Sequence, residues 1–355
     1  MEHLRAWGWS SFFESQWTEE DRAAHVPARV IEEQRGLYRL ITDAGEIDAE
    51  ISGRMRHLAA SGGTLPAAGD WVAARVRPQE ARGTIVRMLA RRTKLSRQAA
   101  GAETVEQVLA ANVDTVFVVC GLDGDFNPRR IERYLAVVWE GGARPVVLLN
   151  KSDLCEDSEA LAAEARQAAP AVELHVISAL HGGGLEPLGL YLAPGETVAL
   201  VGSSGAGKST LLNRLIGADV QRTIETRRGD DRGRHATTAR RLFVLPEGGL
   251  LIDTPGLREL AFWEGAEGVE RAFEDVERLA AHCRFRNCRH TVEPFCAVRR
   301  ALEDGALDPA RFASWDKLRK ELAYGARRHD LRAQLEEKRR WKQIHKAFRG
   351  PRAPW

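Results

Sequence analysis

The chain is 355 residues long, 44% hydrophobic and 29% charged, with a formal net charge of +2, a globular composition with length for two or three domains that each bury a core. It has no apolar run long enough to span a bilayer, and its start, Met-Glu-His-Leu-Arg-Ala-Trp, lacks the basic-then-apolar layout of a secretion signal. A cytoplasmic protein with no membrane partner is expected, and a monomer, since nothing in the sequence points to oligomerisation.

The first hundred residues read as β-rich. Val26–Leu40, Glu46–Ile51, Asp70–Val76 and Gly83–Leu89 alternate apolar and polar side chains, with Gly/Pro-rich breaks at 62–69 and around Pro78. Each such strand buries one face only, and several joined by tight turns suit a small barrel, of OB type for this length or SH3-like on the same pattern. Lys94–Gly101 is polar and reads as a connector, which closes a first region at 1–101.

From about 102 to 265 the pattern changes. Short apolar runs at Asp114–Cys120, Pro145–Leu149, Glu173–Ile177, Thr197–Val201, Leu242–Leu245 and Leu250–Ile252 alternate with helical stretches such as Pro128–Trp139 and Ser158–Ala168. That is the pattern of a doubly wound α/β domain, which binds ligands at the carboxyl ends of its strands. Asn150-Lys151-Ser152-Asp153 stands at one such end. A carboxylate at Asp153 can accept hydrogen bonds from guanine N1–H and the 2-amino group, donors that adenine lacks, so the motif selects guanine. Asn150 orients the loop, the Lys151 stem can lie over the base, and Ser178-Ala179-Leu180 after the next strand makes a second base-side loop.

The strand at 198–201 runs into Gly202-Ser203-Ser204-Gly205-Ala206-Gly207-Lys208-Ser209 and then the helical Thr210-Leu211-Leu212. Gly-x4-Gly-Lys-Ser between strand and helix cradles phosphates: the glycines turn backbone N–H groups inward and the helix N-terminus adds partial positive charge. Lys208 neutralises the β/γ oxygens and Ser209 ligates Mg²⁺. Thr226–Arg241 is rich in Gly, Arg, Asp and Thr and has few large apolar residues. It cannot bury itself and is expected to be mobile, with Thr237 or Thr238 offering the second Mg²⁺ hydroxyl, Thr237 preferred. Asp253-Thr-Pro-Gly256 ends the next strand; Asp253 can hold Mg²⁺ through water and the Gly256 N–H can sense the γ-phosphate. Leu257 follows where many GTPases place a water-orienting Gln. It cannot polarise water, and His235, readable also as a solvated loop histidine, is the internal candidate. The guanine-reading motif precedes the phosphate loop, so the motif order is circularly permuted.

The last region, 266–355, reads as helical. Val269, Phe273, Val276 and Leu279 have helical spacing, and Asp308 can N-cap a helix that begins at Pro309, ends at Gly325 and buries Phe312, Trp315, Leu318 and Leu322. Cys283-x4-Cys288-x-His290-x5-Cys296 offers three thiolates and one imidazole from one short segment, a closed tetrahedral set for one structural Zn²⁺. Lys317 to Trp355 carries thirteen Lys/Arg against four Asp/Glu, which leaves an acidic body with a basic end suited to a polyanion; Trp341 and Phe348 among those cations favour RNA.

This succession of Asn-Lys-x-Asp, Ser-Ala, phosphate loop, Gly-Arg-His-x-Thr-Thr at 233–238, Asp-Thr-Pro-Gly and Cys-x4-Cys-x-His-x5-Cys resembles the RsgA (YjeQ) family of bacterial small-subunit-dependent GTPases. The resemblance covers most of the chain. It implies an OB-fold, a circularly permuted GTPase domain and a zinc-binding helical domain acting late in small ribosomal subunit maturation, with the subunit and its rRNA as partners. It further implies slow intrinsic hydrolysis of GTP to GDP and phosphate, stimulated by the subunit, with His235 in hydrolysis beside Lys208 and Thr237. Two positions depart from the family: Ala236 replaces a common Thr, and Phe295 a common Gly before the last cysteine. The competing expectations are a GTP switch acting on a protein partner and an ATP-using P-loop kinase with a structural zinc.

Overall fold

The computed structural model describes residues 2–34, 36–60, 64–98, 106–217, 240–253, 266–325 and 335. The chain forms two compact units, one of residues 1–262 with 267–274 and one of 263–266 with 275–355.

The first unit opens with three short helices, Glu2–Ala6 (α1), Ser11–Glu14 (α2) and Glu19–Ala24 (α3), the last held by a capping box between Thr18 and Asp21. Leu4, Trp9, Phe13 and Trp17 from this segment pack with Trp71 and Leu89. Trp9 meets Trp71 edge-on at 4.8 Å between ring centroids.

Five strands follow: Val26–Gln34 (β1), Leu37–Thr42 (β2), Gly45–Ile51 (β3), Trp71–Arg77 (β4) and Arg82–Met88 (β5), with helix Gly53–Ala60 (α4) between β3 and β4. The run Val26–Leu40 is therefore the paired strands β1 and β2, not one strand. The strands pair in the order β1-β2-β3-β5-β4, and β4 closes back on β1. β3 and β5 are parallel and the other pairs antiparallel. The expected small barrel is this five-stranded OB-type barrel. Its interior takes every second side chain of β1, Ala28 and Val30, with Tyr38, Leu40, Ile47, Val72 and Ile85. The alternate residues of β1, Arg29 and Ile31, face outward and are nevertheless buried.

The polar stretch read as a connector is partly a strand: Lys94–Gln98 (β6) pairs antiparallel with Glu106–Ala111 (β7). The remaining strands are Thr115–Gly121 (β8), Arg144–Asn150 (β9), Glu173–Val176 (β10), Thr197–Gly202 (β11), Arg240–Val244 (β12) and Leu250–Asp253 (β13). They lie in the order β10-β9-β8-β11-β13-β12, parallel except for β12. Helices Pro128–Glu140 (α5), Ser158–Ala168 (α6), Lys208–Ile216 (α7) and Glu267–Ala272 (α8) complete this layer. Asn127 caps α5 and Asp157 caps α6 through their side-chain oxygens. Arg240 and Arg241, read as part of a mobile segment, instead begin β12, which pairs with barrel strand β1 at Glu33 and Glu32. The rest of that segment, 218–239, lies outside the described residues. One sheet thus runs from β10 into the barrel, and Ile31 and Ile41 share a core with Leu242 and Ile252.

Arg29 stands at this junction, fully buried. Its guanidinium donates to Trp7 O at 2.5 Å, Gly69 O at 3.2 Å, Asn112 O at 3.2 Å and Thr197 Oγ1 at 3.0 Å. Burial lowers its pKa to about 10, with the charges of Asp114 and Asp70 opposing the fall, so it stays a cation at neutral pH. Only a planar fork of donors reaches four acceptors at once.

Helix Glu274–Ala281 (α9) enters the second unit at Asp275, and Ala297–Glu303 (α10) and a helix over 309–325 (α11) follow within it. The Asp308 side chain accepts from Ala310 N at 2.9 Å, the expected cap. Trp315 and Leu318 of α11 are buried, and Arg311 donates twice to Asp275, each bond 2.7 Å. Gly325 is still helical, and the basic tail beyond it lies outside the described residues apart from residue 335.

Arg29→Ala strands several buried acceptors, each worth about 1–3 kcal/mol, so a stability loss of roughly 3 kcal/mol or more is expected in urea unfolding followed by tryptophan fluorescence. Arg29→Lys, which keeps charge but not the fork, should recover only part of it.

Candidate functional site

Three sequence motifs meet at the carboxyl ends of the parallel strands. β9 ends in Asn150, β10 leads to Ser178 and β11 ends in Gly202. β9 and β11 flank β8, so they lie about 10 Å apart, a span that a nucleotide lying across the strand ends can bridge. The Asn150 side chain, 2% exposed, joins all three motifs. Its Nδ2 donates to Ala206 O in the glycine loop at 2.8 Å, and its Oδ1 accepts from Ala179 N at 2.9 Å. Asn150 was expected to orient its own loop; these two side-chain bonds reach the glycine loop and the Ser178–Ala179 loop.

That bond constrains the neighbouring glycine. Gly207 has φ +92, and a Cβ there would lie 2.1 Å from Asn150 Nδ2. Gly202 is similarly confined: a Cβ would meet Val119 O at 2.1 Å. The loop 203–207 then enters α7, whose N-terminal end carries Lys208, Ser209 and Thr210. With orphan N–H groups at a helix start, this is an anion-binding geometry. The Lys208 ammonium donates to Gly202 O at 2.7 Å and to Ser203 O. Ser204 and Gly205 lie at the exposed crest of the loop.

In the Asn-Lys-x-Asp motif, Lys151 adopts φ +67, which turns the chain so that Ser152, Asp153 and Leu154 form a short 3-10 turn. The Ser178 hydroxyl donates to Asp153 Oδ1 at 2.5 Å, and His181 lies 3.8 Å from the other oxygen. Ser178 therefore orients the carboxylate and leaves acceptor capacity on it. Two residues outside the recognised motifs complete the arrangement. After β8, Asp123 pairs with Lys151 Nζ at 2.5 Å, and Asp125 accepts from the Ser203 hydroxyl while pairing with Arg130 at 2.7 Å. Burial raises the Asp125 carboxyl, but the Arg130 and Ser203 bonds outweigh it and hold its pKa below the usual range. Their signal in the sequence is an Asp-Gly-Asp directly after a buried strand. Asp253 ends β13, beside β11. Among the other expected residues, His235, Thr237, Thr238, Gly256 and Leu257 lie outside the described residues.

The Cys/His cluster is in the second unit. The donor atoms of Cys283, Cys288, His290 and Cys296 all lie within 4.8 Å of one another. Cys283 Sγ is 3.6 Å from His290 Nδ1 and 3.8 Å from Cys296 Sγ, and His290 Nδ1 is 3.4 Å from Cys296 Sγ. Donors about 2.0–2.3 Å from a central zinc stand roughly 3.3–3.8 Å apart along the edges of a tetrahedron, so the residues fit the ion. Burial disfavours the Cys283 thiolate, but backbone N–H groups of Val298 and Ala297 at the start of α10 offset this and lower its pKa. His290 packs on Trp315 at 5.5 Å, and burial lowers its pKa, which keeps the imidazole in the neutral form a metal binds.

Residues 88–263 match the model of the RsgA GTPase family. A protein of Opitutus terrae named small ribosomal subunit biogenesis GTPase RsgA is 48% identical, over 98% of this chain and 97% of its own length. One of the same name from Syntrophotalea carbinolica is 46% identical, over 96% of each. Among solved structures, YjeQ from Thermotoga maritima is similar over 84% of this chain and 99% of its own, with a TM-score of 0.62 and 25% identity. YloQ, a circularly permuted GTPase, shares the fold over 84% of this chain and 95% of its own, with a TM-score of 0.58 and 22% identity.

Gly207→Ala should weaken binding of fluorescent GTP by roughly tenfold or more, about 1.4 kcal/mol. Because Asn150→Ala removes both the bridge and the clash, the double variant should bind no worse than the worse single one, a non-additivity that the same titration reads. Metal analysis should find one zinc per chain, and Cys283→Ser or chelation should lower it and open Arg284, Arg286 and Arg289 to trypsin.

Proposed function

The chain belongs to the RsgA GTPase family, and on that premise we propose that it hydrolyses GTP to GDP and phosphate as a late-stage maturation checkpoint on the small ribosomal subunit. The observation that carries the reading is the Asn150 amide, bonded at once to the glycine loop and to the Ser178–Ala179 loop, because it assembles a guanine site and a phosphate site across one set of strand ends. The near-full-length likeness to proteins named for small-subunit biogenesis favours a ribosomal partner over a protein-switch role. The division is 1–101 for the barrel region, 102–265 for the permuted GTPase region and 266–355 for the zinc-binding region with its basic tail.

In this reading Asp153, oriented by Ser178, accepts from guanine, and Lys151 and Ala179 line the base. The backbone of residues 202–207 with Lys208 and Thr210 holds the phosphates. Lys208 leaves the carbonyls of Gly202 and Ser203 for the β/γ oxygens. Ser209 and Thr237 would ligate Mg²⁺, with Asp253 holding it through water and the Gly256 N–H sensing the γ-phosphate; the ion would supply neutralisation of phosphate charge. Leu257 cannot orient water, so His235 or a group from the subunit must. Cys283, Cys288, His290 and Cys296 hold a structural zinc, and rRNA phosphates meet the basic tail. Among the described residues no helix is long and apolar enough to cross a membrane; in this reading the chain acts as a cytoplasmic monomer with no membrane partner.

Purified small subunits should raise the GTPase rate of the full chain at moderate salt; no binding and no stimulation would overturn the reading. His235→Ala should lower the stimulated kcat by roughly a hundredfold while GTP still binds. Asp153→Ala should erase the preference for GTP over ATP, whereas an unchanged preference would point to the kinase alternative.

A further inference from the structure

Phe295 is placed at a cost. It immediately precedes the ligand Cys296 and holds φ +59, a left-handed conformation that glycine adopts freely and an aromatic residue does not. Nor does its side chain gain burial in exchange, since 74% of the residue is exposed. An aromatic residue that is both strained and solvent-facing is better explained by something outside the chain than by the chain's own packing.

Its surroundings define what that is. The Arg284 guanidinium lies over the Phe295 ring at 5.2 Å and over the ring of the exposed Phe285 at 5.8 Å. Val292 is exposed beside them in sequence. Between 283 and 300 the chain carries five arginines and a single acidic residue, Glu293. The Glu293 carboxylate is turned to internal use, accepting the backbone N–H groups of Arg289, Thr291 and Val292. Three thiolates around a zinc ion add one negative charge, which leaves the segment cationic. A protein partner that buried this patch would have to desolvate the arginines, whereas RNA supplies a phosphate for each cation and a π-face for each ring.

We propose that Phe295, with Arg284 stacked on it, is a platform for an unpaired RNA base, and that Arg286 and Arg289 of the same segment bind phosphates. The proposal rests on the ribosomal reading above for the source of that RNA and gives it a particular surface in the zinc-binding unit.

The test uses the zinc-loaded full chain, a fluorescein-labelled oligouridylate and purified small subunits. Phe295→Gly relieves the backbone, so zinc content should stay at one per chain and the melting temperature should not fall. RNA affinity should nevertheless drop roughly tenfold, with the slope of log K against log salt unchanged, because stacking releases no counterions. Phe295→Tyr should restore binding. Arg289→Ala should flatten the salt slope by about 0.7, the share of a single phosphate that the arginine neutralises. Equal affinity of wild type and Phe295→Gly for oligouridylate overturns the platform. So does weaker binding of the variant to subunits alone, which would assign Phe295 to a ribosomal protein. If oligouridylate binding depends on Phe295 but wild-type chain binds no subunits, the platform stands and the ribosomal reading falls.

Discussion

The buried carboxamide of Asn150 is the point on which the proposed nucleotide site depends. A nucleotide needs its base and its phosphates held in fixed relation, yet the motifs for each leave different strands and are far apart in sequence. Asn150 spends one side of its amide on Ala206 and the other on Ala179, so moving one loop unsatisfies a buried group on the other. Such an amide is costly to leave unpaired, and Gly207 is excluded from bearing a side chain by the same contact. Circular permutation leaves this untouched. Parallel strands pair by register, not by which connection joins them, and β8, β9 and β11 pair along most of their length. Cutting and rejoining the chain elsewhere changes the order in which motifs are met and preserves where they meet.

Arg29 plays the corresponding part between the barrel and the α/β layer. A cation buried without a carboxylate in direct contact is expensive unless its donors are satisfied, and here the acceptors come from the N-terminal segment, from the loop before β4, from the turn after β7 and from the first residue of β11. The strand that leads into the glycine loop is thereby fastened at its far end to the barrel. A second link lies at β12, whose Arg240 and Arg241 pair with Glu33 and Glu32 of β1. β12 begins two residues after Thr238, so the segment carrying the proposed Mg²⁺ threonine is continuous with a strand of the barrel's own sheet.

What could be read from the sequence was local. The Gly-x4-Gly-Lys-Ser run, the Asn-Lys-x-Asp turn and the Cys/His spacing carry their chemistry within a dozen residues, and the strands flanking them are apolar enough to show. The five barrel strands showed by alternation, but the division of Val26–Leu40 into β1 and β2 did not, because two paired strands and one long strand share the same period of two. β6 was hidden by its polarity: it lies in a two-stranded ribbon, where Arg97 and Gln107 bond across the ribbon and remain partly exposed. The outward residues of β1 could not be assigned at all. Arg29 reads as an ordinary solvent-facing partner of Ala28 and Val30 until β11 and the N-terminal helices are in place. Asp123 and Asp125 were legible only as a turn, since their meaning lies in Lys151 and Ser203, which other strands deliver.

The site as it stands is built more for holding than for cutting. Lys208 donates to two carbonyls of its own loop, and Asp125 engages Ser203, so on the proposed reading Lys208 exchanges those carbonyls for phosphate oxygens when the nucleotide binds. Bonds from a charged ammonium to neutral carbonyls are worth about 1.5–3 kcal/mol each, and a triphosphate outbids them because its oxygens carry full charge at the same distance. Contacts to the ground-state phosphates serve the ground state and the transition state alike, and uniform binding of this kind lowers KM without raising kcat. The acceleration has to come from a group aimed at the attacking water, and Leu257 leaves the usual position for that group without one. On the proposed reading, a chain with Leu257 at the usual position, which leaves the water to His235 or to a group from the subunit, can keep GTP until another surface completes the site, which is the behaviour a checkpoint requires.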